Sequence, residues 1–347
     1  MNNHQKMKAV GAYQYLPISN PESLIDLHLD KPEPTGRDLL VRVKAISINP
    51  ADVGVREMNN YEAESPKILG WDAAGIVEQV GPDCQLFKPG DKIYYAGSVS
   101  RPGSNSEFHL VDERIVGNMP KSLDFATAAA LPLTSITAWE SLFDRLGISL
   151  NTGENKNILI IGAAGGVGSI AIQLAKLAGL TVIGTASRPE SIQWVKSLGA
   201  DFTINHNNPF HPQLKEVGID TVDYIFCLND TVQHLENMAE VIVPQGKICS
   251  IVPTDKATWT GSLKMDLLFS KSVTFVWELM FTRSLFHTND MIKQHQLLNE
   301  LADLIDDGKI KTTLTERLEP INAANLRLAH EKLESGRTIG KIVLENF

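Results

Sequence analysis

The spacing of apolar residues along the chain changes near residue 125. Before that point apolar and polar residues alternate over short segments, as in Val41-Arg42-Val43-Lys44-Ala45, which is typical of half-buried strands. The segment 88–91 carries Pro and Gly at the two central positions that a type II turn favours. Many short strands separated by such turns predict a small β-barrel.

After residue 125 the apolar segments are longer and alternate between strand-like and helix-like patterns. A continuous apolar run at 158–161 predicts a strand buried on both faces, and residues 168–178 predict a helix. A second strand is predicted at 181–185, followed by a helix with Ser187 as its N-cap and Glu190 completing a capping box. Further strands are predicted at 224–228, 247–252, 273–277 and 339–344, and a further helix at 289–307. Alternating strands and helices predict an α/β domain with a doubly wound parallel sheet.

Length and composition agree with a folded protein of two domains. The chain has 347 residues, of which 43% are hydrophobic and 21% charged. Its net charge of −9 argues against a nucleic-acid surface built on bulk positive charge. Apolar runs stay well below the roughly 18 residues of a membrane-spanning helix, and no apolar stretch follows the N-terminal residues. We therefore expect neither a membrane segment nor a secretory signal.

The three cysteines, Cys84, Cys227 and Cys249, are odd in number and widely spaced. This pattern excludes a disulfide framework and a Cys-rich zinc site. Cys227 and Cys249 lie in apolar runs, so we interpret them as small buried residues. The cysteine usage favours a cytoplasmic location.

A glycine-rich segment lies between the strand at 158–161 and the helix that follows it. Glycines allow the backbone to approach a pyrophosphate, and a helix N-terminus offers N–H groups and the positive end of a dipole to phosphates. The pattern departs from Gly-x-Gly-x-x-Gly because Ala163 replaces the first glycine, and no Gly-Lys-Ser/Thr follows, so the segment is not a P-loop. A turn without a ligand is the alternative interpretation. The predicted cofactor-binding residues of this loop are Ala163, Gly165, Gly166, Val167 and Gly168.

The end of the second strand indicates which dinucleotide is bound. Binding of NAD favours an acidic residue there for the ribose 2′-hydroxyl, and the sequence Thr185-Ala186-Ser187-Arg188 has no carboxylate. A hydroxyl and a guanidinium suit a 2′-phosphate instead. The alternative for Arg188 is a solvated charge at a helix start. We therefore predict that Ser187 and Arg188 bind NADP(H) in preference to NAD(H).

Several motifs together resemble the medium-chain dehydrogenase/reductase superfamily, in its zinc-independent quinone oxidoreductase branch, and within it the proteins named zinc-type alcohol dehydrogenase-like. The resemblance runs from residue 7 to residue 344 and rests on Asn49–Asp52, Leu69–Gly75, Pro89–Asp91, Ala130–Thr134, Ala163–Gly168 and Leu198–Asp201. It implies a GroES-like barrel domain formed by residues 1–127 and 284–347. It also implies a Rossmann domain for NADP(H), residues 128–283, with the active site in the cleft between the two.

The resemblance raises the question of a catalytic zinc. Zinc-binding relatives carry a Cys where this chain has Asn49, and His-Glu where it has Trp71-Asp72. Their third ligand, often a Cys near Leu133, and their four-Cys lobe are missing from this sequence. A catalytic zinc needs three protein ligands, and Asp52 with Asp72 does not make such a set. We therefore predict no metal.

The resemblance also implies roles for single residues. Asn49 matches an Asn near the nicotinamide, and Tyr61 lies near a proton-donating Tyr of enoyl-thioester reductases; a turn Asn and a packed loop aromatic are the alternatives. Thr134 matches a residue near the nicotinamide ribose, although it also suits the cap of a helix at 135–146. His206 matches a Tyr close to the 2′-phosphate, against a surface-loop His, and Lys341 matches a recurrent Gly-Lys with a cofactor or interdomain role, against a solvated Lys at a strand edge.

Without a Lewis acid, alcohol oxidation lacks its usual means of stabilising an alkoxide. Quinones and conjugated enones delocalise the incoming charge themselves, so hydride transfer from NADPH to them needs no metal. The sequence thus predicts a reductase of quinones or α,β-unsaturated carbonyls. Aromatic residues in 276–281 either line the cleft, pack in the core or pack in a dimer interface, and a homodimer is expected. The alternatives are a zinc alcohol dehydrogenase and a non-catalytic NADPH-binding protein.

Overall fold

The computed structural model describes residues 5–57, 64–150, 155–253 and 264–347. The chain divides into two compact units. Unit 1 comprises residues 1–136 and 281–347, and unit 2 comprises residues 137–280.

The elements are numbered here in chain order. The first part of unit 1 contains strands β1 (Lys6–Ala12), β2 (Ile25–Asp30), β3 (Asp38–Ser47), β4 (Lys67–Ile68), β5 (Ala73–Val80), β6 (Lys92–Tyr95), β7 (Phe108–Asp112) and β8 (Val116–Asn118), and helices α1 (Pro50–Glu57) and α2 (Phe125–Ala129). Helix α3 (Pro132–Trp139) begins in unit 1 and ends in unit 2. Unit 2 contains strands β9 (Asn157–Ile161), β10 (Thr181–Thr185), β11 (Phe202–Ile204), β12 (Val222–Cys227), β13 (Ile242–Ser250) and β14 (Thr274–Trp277), and helices α4 (Gly166–Leu177), α5 (Pro189–Ser197), α6 (Phe210–Glu216), α7 (Thr231–Val241) and α8 (Asp266–Phe269). The chain returns to unit 1 with α9 (Thr282–Leu285), α10 (Lys293–Asp306), β15 (Leu314–Leu318), α11 (Ala323–Glu334) and β16 (Lys341–Glu345).

Strand β3 organises unit 1. It pairs antiparallel with β5, β7 and β16, in a sheet of order β15-β16-β3-β5-β6-β8, and a second sheet has the order β2-β1-β4. Along β3, Val41 and Val43 are buried and Arg42 is exposed, which confirms the predicted alternation. Because Val343 of β16 pairs with Ser47 of β3, the C-terminal strand lies beside the segment that begins at Ser47.

The turn at 88–91 also forms as predicted. Gly90 has a φ of +96°, and the Asp91 N–H donates to the Lys88 carbonyl oxygen at 3.2 Å. A positive φ at the third turn position is what a type II turn requires and what glycine supplies.

Unit 2 is a doubly wound parallel sheet, as predicted. The strand order is β11-β10-β9-β12-β13-β14, and neighbouring strands are parallel throughout. From β9 the chain builds outward to β11 and then returns to add β12 on the other side, so the order reverses between β9 and β12. Ligands of such sheets bind beyond the carboxyl ends of the strands at this reversal. Cys227 and Cys249 are buried in adjacent strands, as predicted.

Two helix starts differ from the prediction. The N-cap of α5 is Arg188, not Ser187, because Pro189 occupies the first helical position and the Ser191 hydroxyl accepts the Arg188 N–H at 3.1 Å. Helix α3 begins at Pro132, so Thr134 lies in its first turn and is not its cap; a π-helical segment, Glu140–Arg145, follows α3. Among the described residues, no helix is long and apolar enough to cross a membrane.

Candidate functional site

The glycine-rich loop of unit 2 connects β9 to α4. Gly162 has a φ of +82°, which a side chain rarely tolerates, and Gly165 is the extended N-cap of α4. A Cβ at Gly168 would lie 2.5 Å from the Ala163 carbonyl oxygen, so only glycine fits where the helix approaches the loop. With no side chain on Gly165 or Gly166, the first N–H groups of α4 are accessible to an anion.

The end of β10 lies directly beside this loop. The Thr185 hydroxyl accepts the Gly162 N–H at 2.9 Å, and its oxygen lies 3.4 Å from His206 Nδ1 at the end of β11. Ser187 and Arg188 follow and are half-buried. The Arg188 guanidinium Nη1 lies 3.3 Å from the Glu190 carboxylate. Gly162, Ser187, Arg188 and His206 therefore all follow the carboxyl ends of the neighbouring strands β9, β10 and β11.

A buried histidine packs behind His206. The His234 ring is 6.4 Å from the His206 ring and stacks on Phe210 at a centroid distance of 5.7 Å. Burial lowers the pKa of both His206 and His234, so both rings are neutral at pH 7. In this state the only permanent positive charge among these residues is that of Arg188.

Unit 1 contains a buried polar cluster made of Asn49, Asp52, Asp72 and Lys341. Lys341, the first residue of β16, donates from its ammonium to the Ile48 carbonyl oxygen at 2.7 Å, to Asp72 Oδ2 at 3.1 Å and to Asn49 Oδ1. Asn49 Nδ2 donates to Asp72 Oδ2 at 2.8 Å, and the Asn49 N–H donates to Asp52 Oδ2 at 2.7 Å. The other oxygen of Asp72 accepts the Leu133 N–H at 2.7 Å, in the first turn of α3.

Burial governs the charges of this cluster. It raises the pKa of Asp52 to about 7 and raises the pKa of Asp72, against the attraction of Lys341. It lowers the pKa of Lys341, against the attraction of Asp72. The contacts pair the Lys341 ammonium with the Asp72 carboxylate, and such pairing is what a charged group in a low-dielectric interior requires.

Two of the predicted site residues, Asn49 and Lys341, belong to this cluster. Both the donor and the acceptor group of the Asn49 amide are engaged within the cluster, and the residue is fully buried. Lys341 is 4% exposed, and its three ammonium hydrogens have three acceptors, so it is not a solvated Lys at a strand edge. Both side chains therefore hold the cluster together.

The other predicted residues are placed as follows. The Thr134 hydroxyl donates to the Leu131 carbonyl oxygen at 3.1 Å, and the residue is buried. Tyr61 lies outside the described residues. The cluster as a unit was not predicted from the sequence. The available signal was a lysine at the head of the apolar run Ile342-Val343-Leu344.

A second buried acidic group, in unit 2, was also missed. Glu278 and Glu140 are 3% and 0% exposed, and Arg145 Nε lies 2.6 Å from Glu278 Oε2. Burial and the neighbouring charge of Glu140 raise the pKa of Glu278 to about 8. Glu140 and Arg145 come from the π-helical segment, a type of irregularity that is common at functional sites.

The cluster of unit 1 does not fit a zinc ion. At the positions where zinc-binding relatives have Cys and His, this chain has an amide, Asn49, and an indole, Trp71, which is buried against Phe281 at a ring distance of 6.2 Å. The ammonium of Lys341 occupies the acceptors that face the cluster. Within the described ranges no group of three or more His, Cys, Asp or Glu residues could hold a metal ion.

Known proteins resemble the chain over its whole length. A sequence model described as alcohol dehydrogenase GroES-like domain matches residues 35–121, and one described as zinc-binding dehydrogenase matches residues 198–344. A zinc-type alcohol dehydrogenase-like protein of Staphylococcus epidermidis is 41% identical over 97% of this chain and 99% of its own.

Two solved structures show the same fold. A putative zinc-dependent alcohol dehydrogenase of Rhizobium etli is 51% identical, with a TM-score of 0.93 over 99% of each chain. The Escherichia coli quinone oxidoreductase complexed with NADPH is 25% identical, with a TM-score of 0.79 over 97% of this chain and 99% of that one. The chain belongs to the medium-chain dehydrogenase/reductase superfamily of oxidoreductases.

Proposed function

We propose that this oxidoreductase is NADPH-dependent, works without zinc, and reduces quinones or α,β-unsaturated carbonyl compounds. The observation that carries the proposal is the pair of sites described above. The segment Thr185–Arg188 at the end of β10 has a hydroxyl and a guanidinium and no acidic residue. In the polar cluster, Asn49, which stands where zinc-binding relatives carry a Cys, is bound to the ammonium of Lys341. The E. coli quinone oxidoreductase structure, which contains NADPH, supports the same assignment.

The proposed Rossmann domain, residues 128–283, holds the cofactor. The N–H groups at the start of α4, within Gly165–Gly168, bind the pyrophosphate, and Ala163 and Val167 shape the loop around it. The guanidinium of Arg188 and the hydroxyl of Ser187 bind the 2′-phosphate, with His206 beside them. Thr134 lies near the nicotinamide ribose. NADPH, when bound, supplies a hydride.

The proposed barrel domain, residues 1–127 and 284–347, needs to position an acceptor and exclude water. A quinone takes up the charge on its own carbonyl oxygen, and its reduced form is protonated by solvent. An enone yields an enolate that needs a proton, and we propose Tyr61 as its donor. Asn49 and Lys341 act by holding the polar cluster rather than by contacting the substrate.

We also propose a homodimer formed through β14. This strand is the edge of the six-stranded sheet. Trp277, its last residue, is 44% exposed, and Leu279, two residues beyond it, is 53% exposed. An exposed edge strand with apolar residues favours pairing with another strand, and a two-fold axis joins two such edges in a closed dimer. Light scattering of the purified protein should give twice the chain mass, and Trp277→Lys should shift it to the monomer.

NADPH consumption measured with a panel of quinones, enones and simple alcohols tests the proposed chemistry. We expect turnover with quinones or enones, a preference for NADPH over NADH, and no alcohol oxidation. Bound NADPH without turnover of any acceptor would support the non-catalytic alternative. Alcohol oxidation that stops when a chelator is added would support the zinc alternative.

A further inference from the structure

A lysine side chain ends inside unit 1, surrounded by oxygen acceptors of the protein. The Lys341 ammonium is 4% exposed and sits in a cage of three oxygen acceptors, Ile48 O, Asn49 Oδ1 and Asp72 Oδ2. These acceptors come from the segment that follows β3 and from the residue that precedes β5. The ammonium therefore joins three parts of the chain that are distant in sequence.

The charge of Lys341 acts beyond its own contacts because Asp72 uses both of its oxygens. Oδ2 faces Lys341 and Asn49, and Oδ1 accepts the Leu133 N–H in the first turn of α3. A carboxylate that is 0% exposed stays ionised only beside a cation or several donors. Without Lys341, Asp72 would be protonated or would turn toward water, and Leu133 would lose its charged acceptor.

We infer that Lys341 is a positioning residue, an internal cation that fixes Asp72 and through it the first turn of α3, which carries Thr134. The role in stability rests on the contacts alone. The effect on the cofactor rests on the proposed function, because only that proposal places Thr134 near the nicotinamide ribose.

Chemical rescue tests the cage itself. Lys341→Ala removes a propylammonium group and leaves the three acceptors, so the thermal midpoint should fall by about 10 °C, the scale expected for breaking a buried ion pair. Added n-propylammonium should restore at least half of this loss, whereas tetramethylammonium, which has the same charge and no N–H, should not. Lys332→Ala removes a half-buried ion-pair partner of Glu316 outside the cluster and should show neither the loss nor the rescue.

A second pair of variants covers the case in which Lys341→Ala does not fold. Lys341→Met/Asp72→Asn removes both charges and keeps an acceptor for the Leu133 N–H, so it should be more stable than Lys341→Met alone. Equal stability of the double and single variants would overturn the inference. So would a failure of propylammonium to stabilise Lys341→Ala.

Ligand binding tests the positioning role. NADPH should bind Lys341→Ala about tenfold more weakly, a loss of one charge-assisted contact, and propylammonium should restore its affinity. Adenosine 2′,5′-bisphosphate, which lacks the nicotinamide half, should bind variant and wild type equally. An equal loss for both ligands would overturn the positioning role. If the wild type bound neither ligand, the proposed function would fail. The thermal rescue would still test whether the three acceptors bind the Lys341 ammonium.

Discussion

Arg188 and Glu190 form an ion pair at the start of α5, with Nη1 of the guanidinium 3.3 Å from Oε1 of the carboxylate. The pair lies at the end of β10, where a bound 2′-phosphate would compete with Glu190 for the same cation. An ion pair whose side chains are 34% and 58% exposed contributes little to stability, so exchanging its carboxylate for a phosphate costs little free energy. The guanidinium of Arg188 can therefore exchange the Glu190 carboxylate for a phosphate at small cost in free energy.

We predict that Arg188→Ala discriminates between the two dinucleotides. Loss of one charge-assisted hydrogen bond, about 1.5–3 kcal/mol, should weaken NADPH binding by roughly 10- to 150-fold. NADH binding should stay nearly unchanged because its ribose carries no phosphate. Fluorescence titration of both cofactors measures this, with Lys196→Ala at the other end of α5 as the control. An equal loss for both would remove Arg188 from the 2′-phosphate site.

Glycine requirements differ along the chain, and this gives a second prediction. A Cβ at Gly168 would meet the Ala163 carbonyl at 2.5 Å, so Gly168→Ala should displace the loop from α4, lower stability by about 1–3 kcal/mol and weaken cofactor binding. Gly54 in α1 has nothing within 4 Å of its Cβ position. Gly54→Ala should therefore leave binding unchanged and stabilise the chain by up to about 1 kcal/mol. Urea unfolding with and without NADPH checks both, and a neutral Gly168→Ala would contradict the close approach.

The third prediction concerns Asp52. Burial raises its pKa from 3.8 to about 7, so over this range the folded chain holds a proton that the unfolded chain has released. Stability from this group is therefore lost as pH rises, at up to about 1.4 kcal/mol per pH unit. Asp52→Asn keeps an acceptor for the Asn49 N–H but does not titrate. The variant should lose less stability than the wild type between about pH 4 and about pH 7.

Urea unfolding at several pH values measures the difference between the two curves. Subtracting the two stability curves removes the contributions of groups that the substitution leaves unchanged. Asp290 is one of them; hydrogen bonds from Thr288 and Arg283 lower its pKa to about 2. Parallel curves for variant and wild type would show that Asp52 is ionised in the folded chain throughout.

The sequence predicted those loops and turns that are determined by residues close together in the chain. The phosphate loop follows from glycine spacing between a buried strand and a helix, and the 88–91 turn from Pro-Gly at its centre. The start of α5 was predicted one residue early, because Pro189 occupies the first helical position and the Ser191 hydroxyl accepts the N–H of Arg188. The cluster of Lys341 with Asp72 was not predicted, since 269 residues separate its members and only the pairing of β16 with β3 brings them together.

A fourth prediction concerns the metal. Elemental analysis of purified protein should find no stoichiometric zinc, and a chelator should leave quinone reduction unchanged, because Asn49 and Trp71 stand at the ligand positions. One zinc per chain, lost together with activity, would contradict this.

Restoring two zinc ligands tests whether the Lys341 ammonium keeps a metal out of the cluster. Asn49→Cys with Trp71→His should gain zinc affinity only when Lys341 is also replaced, since its ammonium occupies the cage.

The last prediction separates the two acceptor classes through Tyr61. A reduced quinone is a weak base that water protonates, so quinone turnover should tolerate Tyr61→Phe. An enolate needs a positioned proton donor, so enone turnover should fall by about 10²-fold or more. The pH dependence of enone turnover adds a readout that a packing role would not change. If Tyr61 is the proton donor, the fall in rate at high pH should be absent in Tyr61→Phe. Equal losses for both acceptors would assign Tyr61 to packing, and no loss for either would remove it from the mechanism.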